Sequence, residues 1–193
     1  MTSIAIIQGH PDSREPHLCH ALADAYAAGA SDGGHQVHRI EIAALDFPLI
    51  RSQQQFVDTE PPPCIVETQA AISAADHLVF VYPLWLGTMP ALLKAFLEQS
   101  FRYGFALDVS ASGFPGKLLK GKSARVVMTM GMPVVAYRRL FGAHSLKSFE
   151  QSILKMSGIK PVRESLFGGV DAVSEEKRQR WLSQLNKLGR RGR

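Results

Sequence analysis

Residues 78–82, Leu-Val-Phe-Val-Tyr, form an apolar run without polar alternation. A short run of this kind is typical of a strand buried on both faces, as in a parallel sheet. Pro83 ends the run, because proline cannot donate a hydrogen bond to a neighbouring strand. Pro90 then suits the first turn of a helix, where a missing N–H costs nothing. The segment therefore predicts a buried parallel strand, a short loop and a helix.

The same alternation of strand and helix recurs along the chain. Strands are predicted at 3–7, 36–42, 78–82, 123–129 and 162–167, and helices at 16–28, 64–75, 90–101, 145–157 and 174–188. The stretch 43–63 is predicted to be irregular. Strands that alternate with helices indicate an α/β fold with a doubly wound parallel sheet in the order 2-1-3-4-5. We expect one domain over residues 1–193, because no shift in composition divides the chain.

A sheet of this order binds ligands at the carboxyl ends of its first and third strands. The loop at 83–89 leaves the third strand and contains Pro83, Leu84, Trp85, Leu86 and Gly87. It carries an indole, a glycine that allows close approach of a ligand, and no charge. This composition predicts a platform for a flat, mostly apolar ring system. An apolar turn that only packs against the fold is the alternative.

The loop after the first strand has the residue types of a phosphate site. It contains His10, Ser13, Arg14 and His17, followed by Leu18. If a helix begins at Pro16, its free N–H groups and the positive end of its dipole face this loop. An exposed polar turn is the alternative interpretation.

Two other patterns suggest sites that their context does not support. Residues 116–123 match the phosphate-binding pattern G-x-x-x-x-G-K-[ST], but that motif needs a strand before it and a helix after it. Here a loop precedes the pattern and a predicted strand follows, so we interpret 112–122 as a solvated connector.

His17, Cys19 and His20 are close in sequence and resemble a metal-binding cluster. His17 and His20 would share a helical face from which Cys19 points away. We therefore expect no metal site.

Composition narrows the class of protein. Of the 193 residues, 46% are apolar and 20% are charged, and no apolar run is long enough to span a bilayer. The two cysteines do not make a disulfide framework, which fits a cytoplasmic location. Net charge is +5, with much of the excess in residues 177–180 and 187–193. A basic helix end of this kind is usually solvated, so we expect no nucleic-acid partner.

Three segments resemble one family, the flavodoxin-like NAD(P)H:quinone oxidoreductases. Residues 82–98 resemble its flavin-ring loop and following helix, P-L-x-W-x-x-x-P-A-x-L-K, and residues 101–106 are similar to its F-x-x-G-F-A segment. His10 with residues 13–18 is similar to its flavin-phosphate loop, although His17 stands near the family's asparagine. The second flavin loop, T-T-G-G in the family, corresponds to Thr129, Met130, Gly131 and Met132 here.

The resemblance implies an enzyme that takes hydride from NAD(P)H and reduces quinones or related electrophiles by ping-pong turnover. It implies FMN as cofactor, with FAD second, and a homodimer. Trp85 and Leu86 would flank the flavin ring, while backbone N–H groups of 84–87 and of 129–131 would bind its edges. A flavodoxin-type electron carrier and a flavin-binding regulatory subunit of a membrane transporter are the alternatives.

The family places a tyrosine and a histidine after the second flavin loop to supply a proton. Tyr137 and His144 stand at similar spacing, so the resemblance implies that they are catalytic. Alternatively, Tyr137 packs with Phe141 and His144 caps the next helix.

Overall fold

The computed structural model describes residues 1–108 and 116–193, so part of the predicted connector, 112–115, lies outside the described residues. A parallel sheet runs through these residues. Its strands are β1 (Ser3–Gln8), β2 (Gln36–Glu41), β3 (His77–Pro83), β6 (Ser123–Met130) and β7 (Val162–Gly168). They lie in the order β2-β1-β3-β6-β7. Numbered within the sheet alone, this is 2-1-3-4-5, so the predicted fold class is confirmed.

Strand β3 occupies the centre of the sheet because its side chains are apolar in both directions. All seven of its residues are buried. It pairs in parallel with β1 on one side, where Ile6 faces Val79, and with β6 on the other, where Val81 faces Val127. The carboxyl ends of the three strands therefore meet at one edge of the sheet.

Helices cover both faces of the sheet. They are α1 (Leu18–Asp32), α2 (Gln53–Asp58), α3 (Pro63–Ala74), α4 (Ala91–Ser100), α5 (Val134–Arg139), α6 (His144–Ser148) and α7 (Glu175–Arg190). A π-helical segment, Phe149–Lys155, continues α6. Three apolar residues of α4, Leu93, Phe96 and Leu97, are buried, as is its C-cap Phe101.

Predictions of local structure were wrong at α1 and in the stretch 43–63. Helix α1 begins at Leu18 rather than Pro16, with His17 in extended backbone as its N-cap. It continues through Gly29 to Asp32, whereas the predicted helix ended at residue 28. The stretch expected to be irregular contains α2, whose N-cap Ser52 accepts a hydrogen bond from the N–H of Gln55. None of these differences moves the strand ends.

Helices α1 and α7 lie on the same face of the sheet and pack through glycines. A Cβ atom at Gly29 would lie 1.9 Å from the carbonyl oxygen of Asn186, and one at Gly189 would lie 2.1 Å from that of Tyr26. Both distances are far below van der Waals contact, so each helix needs a glycine where the other crosses it.

The glycine- and lysine-rich segment does not have the geometry of a phosphate-binding loop. Its short strand β5 (Gly116–Lys117) pairs antiparallel with β4 (Leu107–Asp108), which precedes the segment. The segment then leads directly into β6 at Ser123. Within residues 1–108 and 116–193, no helix has the length and apolar character needed to cross a membrane.

Candidate active site

Hydrogen bonds join the carboxyl ends of the three central strands. The N–H of Leu84 donates to the carbonyl oxygen of Thr129 over 2.7 Å, and that of Gly9 donates to Val81 over 2.7 Å. The loops after β1, β3 and β6 are therefore fixed to one another. This is the edge at which sheets of this order bind ligands.

The loop after β3 folds into a tight two-residue turn. Trp85 and Thr88 exchange both backbone hydrogen bonds, at 2.8 and 3.0 Å. The two residues between them have positive φ, 47° at Leu86 and 80° at Gly87. Two successive positive φ angles are the signature of a type I′ turn, which glycine adopts freely and leucine does not. A strained leucine at the tip of a turn is a candidate for function rather than for folding.

The turn presents an apolar surface with free backbone donors. Trp85 is 47% exposed and Leu86 is fully exposed. The N–H groups of Leu84 and Trp85 are taken by Thr129 and Thr88, so the expectation that all of 84–87 could bind a ring edge was too broad. Within the described ranges, the N–H groups of Leu86 and Gly87 have no acceptor. The residues thus fit a flat heterocycle that stacks on apolar side chains and accepts hydrogen bonds along one edge.

His10 connects the first loop to this turn. It is 6% exposed, and its ring stacks on that of His17 with centroids 3.9 Å apart. The ring of Trp85 meets it edge-on at 5.8 Å. Nδ1 of His10 lies 3.1 Å from both the backbone N–H and the carbonyl oxygen of Asp12, so the loop holds the ring through this nitrogen. Burial, followed by the charge of His17, lowers the pKa of His10, so the imidazole is neutral at pH 7.

The carboxylate of Asp12 contacts two side chains of this loop, those of Arg14 and His17. It accepts hydrogen bonds from the N–H of Arg14 at 2.9 Å and from Nε of Arg14 at 3.2 Å, and its second oxygen lies 3.4 Å from Nε2 of His17. These bonds, those of Arg14 first, lower the pKa of Asp12 to about 2. The carboxylate of Asp12 therefore partly neutralises the positive charge of Arg14 within the loop.

The first turn of α1 adds backbone donors below this loop. The N–H of His17 donates to Nδ1 of His20 over 3.1 Å. The N–H groups of Leu18 and Cys19 have no acceptor among the residues described. A helix start with unpaired N–H groups suits an anion such as a phosphate. Ser13 is exposed beside it.

The loop after β6 begins below the same edge. Thr129 and Met130 are buried, and Gly131 is exposed. The hydroxyl of Thr129 lies 3.2 Å from the Sγ atom of Cys19. Burial raises the pKa of the Cys19 thiol to about 12, so this cysteine is not a nucleophile at neutral pH. Of the three residues predicted here, only Gly131 presents its backbone to solvent.

An apolar groove of about 480 Å³ lies between the turn and helix α6. Its walls are formed by Trp85, Leu86, Thr88, Met89, Pro90, Ala91, Lys94, Ser145, Ser148, Phe149 and Ile153. This volume is in the range of sites that bind small molecules. The sequence did not predict that α6 and the π-helical segment form one wall of this groove. That wall exists because the chain, after leaving β6, passes beside the Trp85–Thr88 turn.

Tyr137 and His144 lie near this groove but do not line it. Tyr137 is buried, its hydroxyl lies 2.8 Å from Oγ of Ser145, and it accepts a hydrogen bond from the N–H of Leu146 at 3.3 Å. Ser145 lines the groove, so Tyr137 is connected to the groove through the hydroxyl of Ser145. His144 is the exposed first residue of α6, and its ring covers Gly142.

The cluster of His10, His17 and His20 does not have the arrangement of a metal centre. Across the described ranges, no group of three or more histidine, cysteine or acidic side chains could hold a metal ion. Both cysteines are free.

The parallel sheet and the joined loops at its carboxyl edge define a flavodoxin-like α/β protein. Residues 2–188 match the family model described as flavodoxin-like fold, and the chain belongs to this family.

Similar proteins carry oxidoreductase names. An uncharacterized NAD(P)H oxidoreductase of Haemophilus influenzae is 27% identical over 178 residues, which cover 90% of this chain and 87% of the relative. An FMN-dependent NADH:quinone oxidoreductase of Macrococcus caseolyticus is 24% identical, with 91% of each chain covered. The matched segment spans only 57% of the mouse ribosyldihydronicotinamide dehydrogenase (quinone), at 30% identity.

The fold also matches a solved structure along its whole length. The NAD(P)H:quinone oxidoreductase from Methanothermobacter marburgensis superimposes with a TM-score of 0.82 at 23% identity, covering 100% of this chain and 99% of that one.

Proposed function

We propose that this protein is an FMN-dependent NAD(P)H oxidoreductase that reduces quinones or related electrophiles by two-electron, ping-pong hydride transfer. The observation that carries the proposal is the Trp85–Thr88 turn. It holds an exposed indole, a strained exposed leucine and two free N–H groups at the ligand-binding edge of the sheet. The names of the relatives support the same activity. FAD is the second choice of cofactor.

The ring would lie against Trp85 and Leu86, with the N–H groups of Leu86 and Gly87 donating to its polar edge. Backbone of the loop that begins at Gly131 would bind the opposite end. FMN supplies the hydride chemistry when bound, and the protein contributes orientation and electrostatics. The apolar walls of the groove would keep water from the reacting face and receive NAD(P)H and the quinone in turn.

The phosphate end would lie over the first turn of α1. The N–H groups of Leu18 and Cys19 would donate to phosphate oxygens, with help from Ser13, Arg14 and His17. His10, neutral and packed between His17 and Trp85, would position the loop.

Reduction of a quinone leaves an oxyanion, which a nearby donor must stabilise or protonate. We assign this task to the hydroxyl pair of Ser145 and Tyr137, in which Ser145 faces the groove and Tyr137 supplies the second hydroxyl. His144 begins the same helix and is the second proton donor in this proposal.

A homodimer belongs to the same proposal. Val135, Leu140 and Phe141 are exposed apolar side chains on or just after α5, and Leu86 is a fourth. Exposed apolar surface beside a site usually marks an interface. A second copy of the chain would cover it and close the groove. We expect the enzyme in the cytoplasm.

Reconstitution tests the proposal. The purified protein should retain FMN through ultrafiltration and oxidise NADH or NADPH with quinones or azo dyes as acceptors. A steady-state panel of both nucleotides against several acceptors would identify the substrates. An electron carrier would bind FMN without oxidising NAD(P)H. A protein that retains neither FMN nor FAD would contradict the proposal.

A further inference from the structure

A second polar cluster lies between the sheet and α1, at the opposite edge from the candidate active site. His77 is the first residue of β3, and Arg125 lies on β6 beside Val79. Tyr26 of α1 covers them, with its ring 6.5 Å from that of His77 and nearly parallel to it. All three are buried, and Arg125 is only 5% exposed. The proposed activity uses none of them.

Each of the three side chains has a buried polar atom without a partner. These atoms are the hydroxyl of Tyr26, Nε2 of His77 and Nε of Arg125, judged against the residues that the structure describes. One further nitrogen of His77 and one of Arg125 do have partners. Nδ1 of His77 lies 2.7 Å from Oγ of Ser123, and Nη1 of Arg125 donates to Oγ of Ser165 at 2.9 Å. Two donors, the Tyr26 hydroxyl and Nε–H of Arg125, thus lack an acceptor, and Nε2 of His77 joins them as a third when the Ser123 hydroxyl donates to Nδ1.

The charge of the cluster is also uncompensated. In the described ranges no carboxylate pairs with Arg125, which otherwise donates only to the carbonyl oxygen of Glu164. Residues 109–115 include no acidic side chain. The other charged groups that act on it are Arg163 and Arg193, both cationic. A buried guanidinium without a counter-charge is strongly unfavourable.

The pKa values of the cluster show the same positive field. Burial, followed by the charges of Arg125 and Arg163, lowers the pKa of His77 to about 4. Burial raises the pKa of Tyr26 to about 12 despite the neighbouring Arg125. At neutral pH the histidine is therefore uncharged and the tyrosine is protonated, so neither supplies a negative charge.

We propose that this cluster binds a small inorganic anion of the size of chloride, which accepts hydrogen bonds from Tyr26, His77 and Arg125. A water molecule would satisfy donors but would leave the charge of Arg125 uncompensated. An anion does both. The site is independent of the proposed flavin chemistry because it lies at the amino ends of the strands.

Thermal unfolding provides the first test. The midpoint is measured as sodium chloride replaces sodium gluconate at constant ionic strength. Because the anion binds only the folded state, the wild-type midpoint should rise by about 3–6 °C for each tenfold increase in chloride above its dissociation constant. Arg125→Met and Tyr26→Phe should reduce or abolish the rise. Arg180→Gln, which removes an exposed arginine on α7, should keep it and controls for general charge screening.

Anomalous diffraction from wild-type crystals grown in bromide provides the second test, and it does not depend on any variant folding. A bromide peak within hydrogen-bond distance of the Tyr26 hydroxyl and Nε of Arg125 is expected. The proposal requires both results. It is overturned if chloride and gluconate give the same wild-type midpoint, or if the cluster holds water without anomalous signal.

Discussion

The N–H of Leu84 and the carbonyl oxygen of Thr129 are joined by a 2.7 Å hydrogen bond that crosses from the end of β3 to the end of β6. The bond fixes the apolar turn relative to the loop that begins at Gly131. It also uses the first backbone donor of the turn, so the donors left for a ligand are those of Leu86 and Gly87.

The first prediction concerns the strained residue of the turn. Asparagine tolerates positive φ better than leucine, so Leu86→Asn should leave the unfolding midpoint unchanged or raise it. The same change removes an apolar contact to the ring and should weaken FMN binding about tenfold, which corresponds to roughly 1.4 kcal/mol. Leu49→Asn, at an exposed leucine far from the turn, is the control. Unchanged FMN affinity in Leu86→Asn would show that Leu86 does not contact the flavin.

The second prediction concerns the carboxylate inside the phosphate loop. Asp12→Asn removes a negative charge near the phosphate and frees Arg14 and His17 to face it. The dissociation constant of FMN should therefore fall about three- to tenfold, whereas that of riboflavin, which has no phosphate, should not change. Fluorescence titration with both ligands measures this. Weaker FMN binding would instead mean that Asp12 organises the loop.

The third prediction concerns proton supply. Tyr137→Phe, Ser145→Ala and His144→Gln should each leave FMN content unchanged and slow quinone reduction about tenfold, or about 1.4 kcal/mol of transition-state stabilisation. Rapid mixing with NAD(P)H and then with quinone separates the two half-reactions, and only the second should slow. If all three variants react at wild-type rates, these residues are structural.

The fourth prediction concerns the crossing of α1 and α7. Gly29→Ala and Gly189→Ala place a Cβ atom about 2 Å from a backbone carbonyl, and should destabilise the fold by roughly 2–4 kcal/mol despite alanine's better helix propensity. Ala28→Gly, the reverse change at an exposed neighbouring position, should cost only about 1 kcal/mol. Urea unfolding gives the comparison. Stabilisation by either glycine substitution would contradict the packing.

The fifth prediction is a pH dependence. Since the pKa of His77 is about 4 in the folded protein and near 6.5 when unfolded, the unfolded state binds more protons between these values. Stability from this residue is present above pH 6.5 and is lost as pH falls towards 4. In gluconate buffer, His77→Gln should show a shallower loss over this window than wild type. His38→Gln, at an exposed histidine of β2, should match wild type; equal slopes for all three proteins would contradict the burial argument.

The sheet and its ligand edge were predictable because they follow from local signals. The apolar run at 78–82 and the prolines at 83 and 90 locate a buried strand, a loop and a helix, and the structure has all three. Strand order followed from the alternation of elements. The Trp85 loop was singled out for the same reason.

Features that depend on distant partners were not predictable. Gly29 resembles a helix end until α7 is seen to cross it. The N–H groups of Leu84 and Trp85 are occupied because they donate to the carbonyl oxygens of Thr129 and Thr88. The buried hydroxyl of Tyr137 likewise has its partner in Ser145. The start of α1 was misplaced because its N-cap is a histidine rather than serine, threonine, aspartate or asparagine.

The central claim is that the joined loops bind FMN for hydride transfer, and one anaerobic experiment tests it most directly. The FMN-loaded protein is mixed with one equivalent of NADH or NADPH and then with one equivalent of quinone, while the visible flavin absorbance is followed. The account predicts rapid bleaching by at least one nucleotide and full recovery on adding quinone. Absorbance that neither nucleotide bleaches would contradict it.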